Sequence, residues 1–226
     1  MSSSLRIDIV TLFPEIFFGP LASSIVGRAR EKGIVEINAV NLRDFTHDRH
    51  KTVDDTPYGG GPGMLMKPEP LFEAVRSLKT ECSKVILTGP AGRRFTQKDA
   101  EAIASNESHV IILCGHYEGV DQRVRSLIDC EFSIGDYILT SGNLAAMVMA
   151  DAVVRLLPGA LGDEQSGVDQ SFGVSGLLEY PQYTRPPVFE GMAVPDVLLS
   201  GDHEKIRRWR EAQSWNSTIR HRPDLV

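Results

Sequence analysis

The sequence predicts an α/β fold built on a mainly parallel sheet, followed by a small helical unit. Three observations lead there. Strand-like and helix-like stretches alternate through the first half of the chain, as in βαβ architectures. Two of the strand-like stretches are short, continuous apolar runs of the kind buried on both faces of a parallel sheet. After Pro158 the texture changes, and periodicity gives way to Gly, Ser, Asp and Gln.

Residues 6–12 and 35–41 alternate apolar and polar positions with period two, whereas 84–87, apolar after Lys84, and 110–114 are short apolar runs. Between and after them, residues 14–32, 68–78 and 96–104 have helical character. Thr96 is a suitable N-cap for the last, with Asp99 three residues on as a capping-box partner. Residues 143–157 read as a long buried helix, capped by Asn143 and stopped by Pro158-Gly159. Residues 159–176 have no period and read as a linker or loop. Pro181, Pro186, Pro187 and Pro195 then break the chain into turns, and Asp202 is placed to cap a helix over 203–213, with a short helical stretch near 215–219. The expected organisation is a first domain over 1–160, a flexible linker over 161–176 and a small helical domain over 177–226.

Composition narrows the function. A net charge of −6 speaks against a protein that coats nucleic acid through charge alone. The charge is unevenly spread, however. Between residues 203 and 222, Lys205, Arg207, Arg208, Arg210, Arg220 and Arg222 stand against only Glu204 and Glu211, which would let a polyanion dock at one place. No apolar run approaches the roughly 20 residues needed to span a bilayer, and Asp8 inside the first apolar stretch suits a strand rather than a signal peptide. Cys82, Cys114 and Cys130 are odd in number and widely spaced, which points to buried thiols in a reducing cytoplasm.

Glycine-punctuated segments carry the candidate chemistry. Tyr58-Gly59-Gly60-Gly61-Pro62-Gly63-Met64 lacks the Lys-Ser/Thr of a phosphate-binding P-loop and the spacing of a dinucleotide fingerprint. His47 and His50 upstream have no third partner at metal-ligand spacing. Leu87-Thr88-Gly89-Pro90-Ala91-Gly92-Arg93 and Cys114-Gly115-His116-Tyr117-Glu118-Gly119 both follow apolar strands, and Ser133-Ile134-Gly135-Asp136-Tyr137-Ile138-Leu139-Thr140-Ser141-Gly142 precedes a helix. Open parallel sheets bind ligands beyond the carboxyl ends of their strands. Taken singly, each glycine marks a turn. Three such exits together predict one pocket in which backbone groups read a ligand edge while Ile, Leu and Tyr pack its face. No nucleophile elbow or Cys–His arrangement is present, which leaves Arg155 and Asp169 as the candidate charged pair.

At these motifs the sequence resembles the bacterial tRNA (guanine-N1)-methyltransferases, the TrmD family of SPOUT methyltransferases. The resemblance spans essentially the whole chain. It is carried by Leu12-Phe13-Pro14-Glu15, by Arg43-Asp44-Phe45-Thr46-His47-Asp48-Arg49-His50, by residues 58–64, 114–119 and 133–137, and by Tyr183-Thr184-Arg185-Pro186 and Val197-Leu198-Leu199-Ser200-Gly201. It implies a SPOUT domain with a deep trefoil knot, a linker, a tRNA-binding C-terminal domain, and a homodimer whose active site is shared between chains. It also implies that S-adenosylmethionine is held by Leu87, Pro90, Gly115, Tyr117, Glu118, Gly119, Ser133, Ile134, Gly135, Tyr137, Leu139 and Gly142, with Asp136 and Ile138 in the same loop. S-adenosylhomocysteine would be the product. Mg²⁺ is compatible with this chemistry, but no pattern in the sequence marks a site for it.

The substrate implied is the guanine immediately 3′ of the tRNA anticodon. Its N1 carries a proton that a base must remove, and the charge that develops on O6 would be stabilised by a cation such as Arg155. The family places an Asp directly before Ser-Phe in the linker. Here that place holds Gln170, in Asp169-Gln170-Ser171-Phe172, and Asp169 is the expected base. Two other functions compete. A nucleotide-dependent hydrolase would need a lysine and metal ligands that the glycine run lacks, and a non-catalytic RNA-binding relative would bind tRNA without transferring methyl.

Overall fold

The computed structural model describes residues 4–162 and 170–226. The chain divides into two compact units, 1–162 and 163–226. In chain order the first runs β1 (Leu5–Thr11), α1 (Ser24–Glu31), β2 (Val35–Asn41), the two-residue strands β3 (Asp54–Asp55) and β4 (Leu65–Met66), α2 (Pro68–Leu78), β5 (Ser83–Arg94), α3 (Gln97–Asn106), β6 (His109–Cys114), β7 (Cys130–Ser133) and α4 (Asn143–Val154). Five strands form one sheet in the order β2-β1-β6-β5-β7, and every neighbouring pair is parallel.

Alternation along the strands explains why the apolar runs are unbroken. In β6, Val110, Ile112 and Cys114 join Ile7, Ile9 and Ile86 on one face, covered by Ala100 and Ile103 of α3 and Ala146, Met149 and Ala150 of α4. Ile111 and Leu113 point the other way, with Val10, Val85 and Leu87, against Leu71, Ala74 and Val75 of α2. Each Leu or Ile so buried stabilises the fold by roughly 1.5–3 kcal/mol. Asp8, fully buried in β1, is reconciled with this core by partners. Its carboxylate accepts from Asn38 Nδ2 at 2.9 Å and lies 2.9 Å from Arg6 Nη2 and from His109 Nε2.

Several elements differ from the expectation. Residues 14–32 are not one helix but two 3-10 turns, Pro14–Phe17 and Pro20–Ala22, followed by α1. Pro20 cannot donate to the ladder, and Ser24 takes a left-handed φ of 55°. Strand β5 continues past Leu87 to Arg94, with a register shift between Thr88 and Arg93, both of which pair with Phe132. Strand β7, which carries Glu131 between Cys130 and Phe132, is announced by no period in the sequence. Helix α4 is capped by Gly142, not by Asn143, whose side chain turns inward to accept from the Thr11 hydroxyl at 2.9 Å. It also ends at Val154, before the expected 157.

The second unit holds a short hairpin, β8 (Val188–Phe189) with β9 (Met192–Ala193), then α5 (Asp196–Leu199) and α6 (His203–His221). Asp202 caps α6 as expected, accepting from the Lys205 amide at 3.1 Å. The helix is continuous through residue 214, where a break was expected. No Gly or Pro interrupts it, and Thr218, fully buried, accepts from the Leu178 amide at 2.9 Å. Among the described residues no helix is long and apolar enough to cross a membrane.

Candidate functional site

The strand exits converge beyond the carboxyl ends of β5, β6 and β7. The Gly142 amide donates to Gly115 O at 2.8 Å, and His116 bridges to Ser141, so the loop after β6 is laced to the loop before α4. Thr88 at the turn of β5 donates to Leu113 O at 3.1 Å. A Cβ on Gly142 would fall 1.9 Å from Thr88 Oγ1 and 3.0 Å from the Gly115 amide, so only glycine permits this crossing. The bulge of β5 is shaped in the same way. A Cβ on Gly89 would meet Glu131 Oε1 at 2.3 Å, and one on Gly92 would meet the Glu131 carbonyl.

Together these loops enclose a cavity of about 450 Å³, a volume typical of small-molecule sites. From the β5 exit, Leu87 and Pro90 line it. From the β6 exit come Gly115, Tyr117, Glu118 and Gly119, and from the third loop Ser133, Ile134, Gly135, Tyr137, Ile138, Leu139 and Gly142. Asp136 faces away, with its exposed carboxylate 2.9 Å from Arg94 Nη2. Residues not expected as ligand contacts also form the wall. Among them are His116, Thr88 and Phe132, and Glu131, whose largely buried carboxylate is ion-paired with Arg125. Glu131 becomes a wall residue only through β7, and Arg125 reaches the wall from the turn at Gln122–Ser126, so no local signal could have found them.

Electrostatics in the wall follow burial. His116, stacked edge-on against Tyr117 at 5.0 Å and tilted against Phe13 at 5.3 Å, is held below the ordinary histidine pKa by desolvation. Burial likewise pushes the Cys114 thiol well above its ordinary value, so it is no nucleophile. Tyr117 sits at a φ of 56°, a left-handed conformation unusual for a side chain of this size. Just outside, the Arg123 guanidinium holds Asp121 down to about 2 through a two-point ion pair.

The glycine run 59–63 is mounted on this rim. Gly59, Gly60, Gly61 and Gly63 all have left-handed φ values. The Met66 amide donates to Gly119 O at 2.9 Å, and the Glu118 amide to Met64 O at 3.0 Å. His47 Nε2 lies 2.8 Å from a Glu73 carboxylate oxygen. Among the described residues no group of three or more His, Cys, Asp or Glu is placed to hold a metal.

The remaining candidates lie elsewhere. Arg155 follows the last residue of α4, a twelve-residue helix that starts at the cavity, which places it about 20 Å along the axis from Gly142. Asp169 lies outside the described residues, and Gln170 opens a turn in which the Gly173 amide donates to its carbonyl. The basic stretch of α6 is largely matched within its own unit. Arg207 and Arg208 pair with Glu204, Arg207 also with Glu211, Lys205 with Asp202 and Arg222 with Asp224. Arg210 lies over the Tyr180 ring.

Comparison with known proteins matches residues 5–226 to the family described as tRNA (Guanine-1)-methyltransferase TrmD. Curated relatives cover nearly the whole chain. A tRNA (guanine-N(1)-)-methyltransferase of Dictyoglomus turgidum is 61% identical over 98% of this chain and 90% of its own. Enzymes of the same name from Geobacillus kaustophilus and Lactiplantibacillus plantarum are 56% and 54% identical, each over 98% of this chain and 91% of the relative.

Proposed function

The chain belongs to the tRNA (guanine-1)-methyltransferase TrmD family, and from that premise we propose that it transfers a methyl group from S-adenosylmethionine to N1 of the guanine immediately 3′ of the tRNA anticodon. The observation that carries the cofactor assignment is the meeting of three strand exits on one cavity, laced by Gly142 and Gly115 and lined by backbone groups with Leu, Ile and Tyr around them. This wall suits a flat heteroaromatic ring with polar edges. The uncharged state favoured for His116 also suits a cationic ligand.

Leu87, Pro90, Gly115, Tyr117, Glu118, Gly119, Ser133, Ile134, Gly135, Tyr137, Ile138, Leu139 and Gly142 would hold the cofactor, which supplies an activated methyl group when bound. The chain's own tasks are then to hold the flipped guanine in line, accept its N1 proton and steady the charge that develops on O6. We assign the proton to Asp169 and the O6 charge to Arg155. Arg155 stands a helix length from the cavity of its own chain. That position supports a homodimer in which the partner's Arg155 completes each site. Leu144 and Val148, exposed on α4, and Phe13 and Ile16, soon after β1 in the chain, are apolar surface of the kind a second copy would cover. The family's trefoil knot, a tRNA-binding role for the C-terminal unit and a cytoplasmic setting belong to the same reading.

The test is single-turnover methyl transfer to an unmodified tRNA transcript. The wild type should label a tRNA carrying the target guanine and leave one without it unlabelled. Asp169→Asn should lower the rate by at least about a hundredfold, the usual weight of a general base, while Gln170→Ala should stay near wild type. Near-normal transfer by Asp169→Asn would remove Asp169 from the role.

A further inference from the structure

We propose that Tyr58 is a stacking platform for a base of the anticodon loop beside the methylated guanine; this rests on the tRNA methyltransferase function proposed above. Tyr58 is fully exposed, at 103% of its reference area, and makes no hydrogen bond or ring contact among the described residues. It contributes nothing to the core. Its mounting, in contrast, is firm. The loop springs from the β3–β4 pair, where Met66 of β4 and the adjoining Val53 are buried, and the Lys67 amide donates to Val53 O at 2.8 Å. The other side of the stem is bonded to Gly119 and, through Met64, to Glu118 at the cavity rim. A Cβ on Gly63 would fall 2.4 Å from Glu118 Cγ, so the loop lies directly against a wall residue. Tyr58 itself does not line the cavity.

The surroundings fit single-stranded RNA. Exposed Arg123, partly countered by Asp121, lies within electrostatic reach of the Tyr58 phenol. Exposed Arg49, His50 and Lys51 precede the stem in the chain, with Lys51 3.7 Å from Asp44, and the stem itself carries Asp54 and Asp55. An exposed aromatic face with a cation nearby is how proteins hold unpaired bases whatever their sequence. An enzyme that extracts one base from a loop leaves its neighbours without a stacking partner. A ring held at the rim, on a loop whose stem is anchored, supplies one.

The experiment uses the full chain and tRNA transcripts with 2-aminopurine beside the target guanine. Tyr58→Ala should raise KM for tRNA about tenfold, in line with the loss of one base–aromatic stack. Cofactor affinity and the thermal midpoint should stay unchanged. Tyr58→Phe, which keeps the ring, should stay within about twofold of wild type. The 2-aminopurine fluorescence should be quenched on binding wild type and Tyr58→Phe but not Tyr58→Ala. Unchanged KM in Tyr58→Ala would overturn the proposal. So would a loss of cofactor affinity instead, which would make the loop a lid, or a Tyr58→Phe as damaged as Tyr58→Ala. A wild type that methylates no tRNA would instead overturn the function on which the proposal depends.

Discussion

Single residues set the character of the cavity by what they lack. Gly142 and Gly89 lack the Cβ that would collide with Thr88 and Glu131, and His116 lacks its second proton at neutral pH because burial disfavours the charge. The folded pKa of His116 lies below its unfolded value of 6.5. The unfolded chain therefore takes up this proton first, and stability declines as pH falls through the unfolded value, levelling out below the folded one. The same protonation would set a cation against the sulfonium. Calorimetric titration with S-adenosylmethionine from about pH 8 to about pH 5.5 should show affinity weakening in the wild type and a flatter profile in His116→Gln. The glycines mark the loops of this cavity in the sequence itself, because each follows an apolar strand run or precedes a helix. The role of His116 is not legible there, since its charge state is set by Phe13 and Tyr117 packed against it.

Among the elements, α3 behaves most as its local sequence dictates. The Asp99 carboxylate accepts from both the Thr96 amide, at 2.9 Å, and the Thr96 hydroxyl, at 2.8 Å, and pairs with Arg93. Burial works against its charge, but Arg93 and Thr96 outweigh it and hold Asp99 below the ordinary carboxylate range. A depressed folded pKa contributes stability above the unfolded value and loses it as pH falls through the folded one. Asp99→Ala should cost about 1 kcal/mol near neutral pH in urea unfolding, and the deficit should shrink as the wild type is acidified through that range. The cap could be read from spacing because its partners are three residues apart. The N-terminus of α4 could not. Asn143 has the right chemistry for a cap, but Thr11, 132 residues away, claims its side chain.

At the scale of the whole molecule, the cavity and Arg155 lie at opposite ends of α4. The proposed reaction needs them together, and a dimer brings in a second Arg155. Ile134→Trp, which fills the cavity, and Arg155→Ala should each be inactive alone. Mixed and allowed to exchange subunits, they should regain methyl transfer, because one site of the mixed dimer then has an open cavity and an intact partner arginine. If Arg155 served the cavity of its own chain, no mixed site would be whole and radiolabelled tRNA would stay at background.

The sequence by itself determined the α/β class, the parallel strands with their unbroken apolar runs, and the glycine-marked exits. All of these rest on local rules: period, chain reversal and the absence of a Cβ. Tertiary structure alone decided which exits meet. It carried β5 through its bulge, placed Glu131 in β7 and turned Asn143 inward. It also left Tyr58 in solvent and Arg155 far from its own cavity. Each of these depends on contacts between residues distant in the chain, and no periodicity along the chain encodes such contacts.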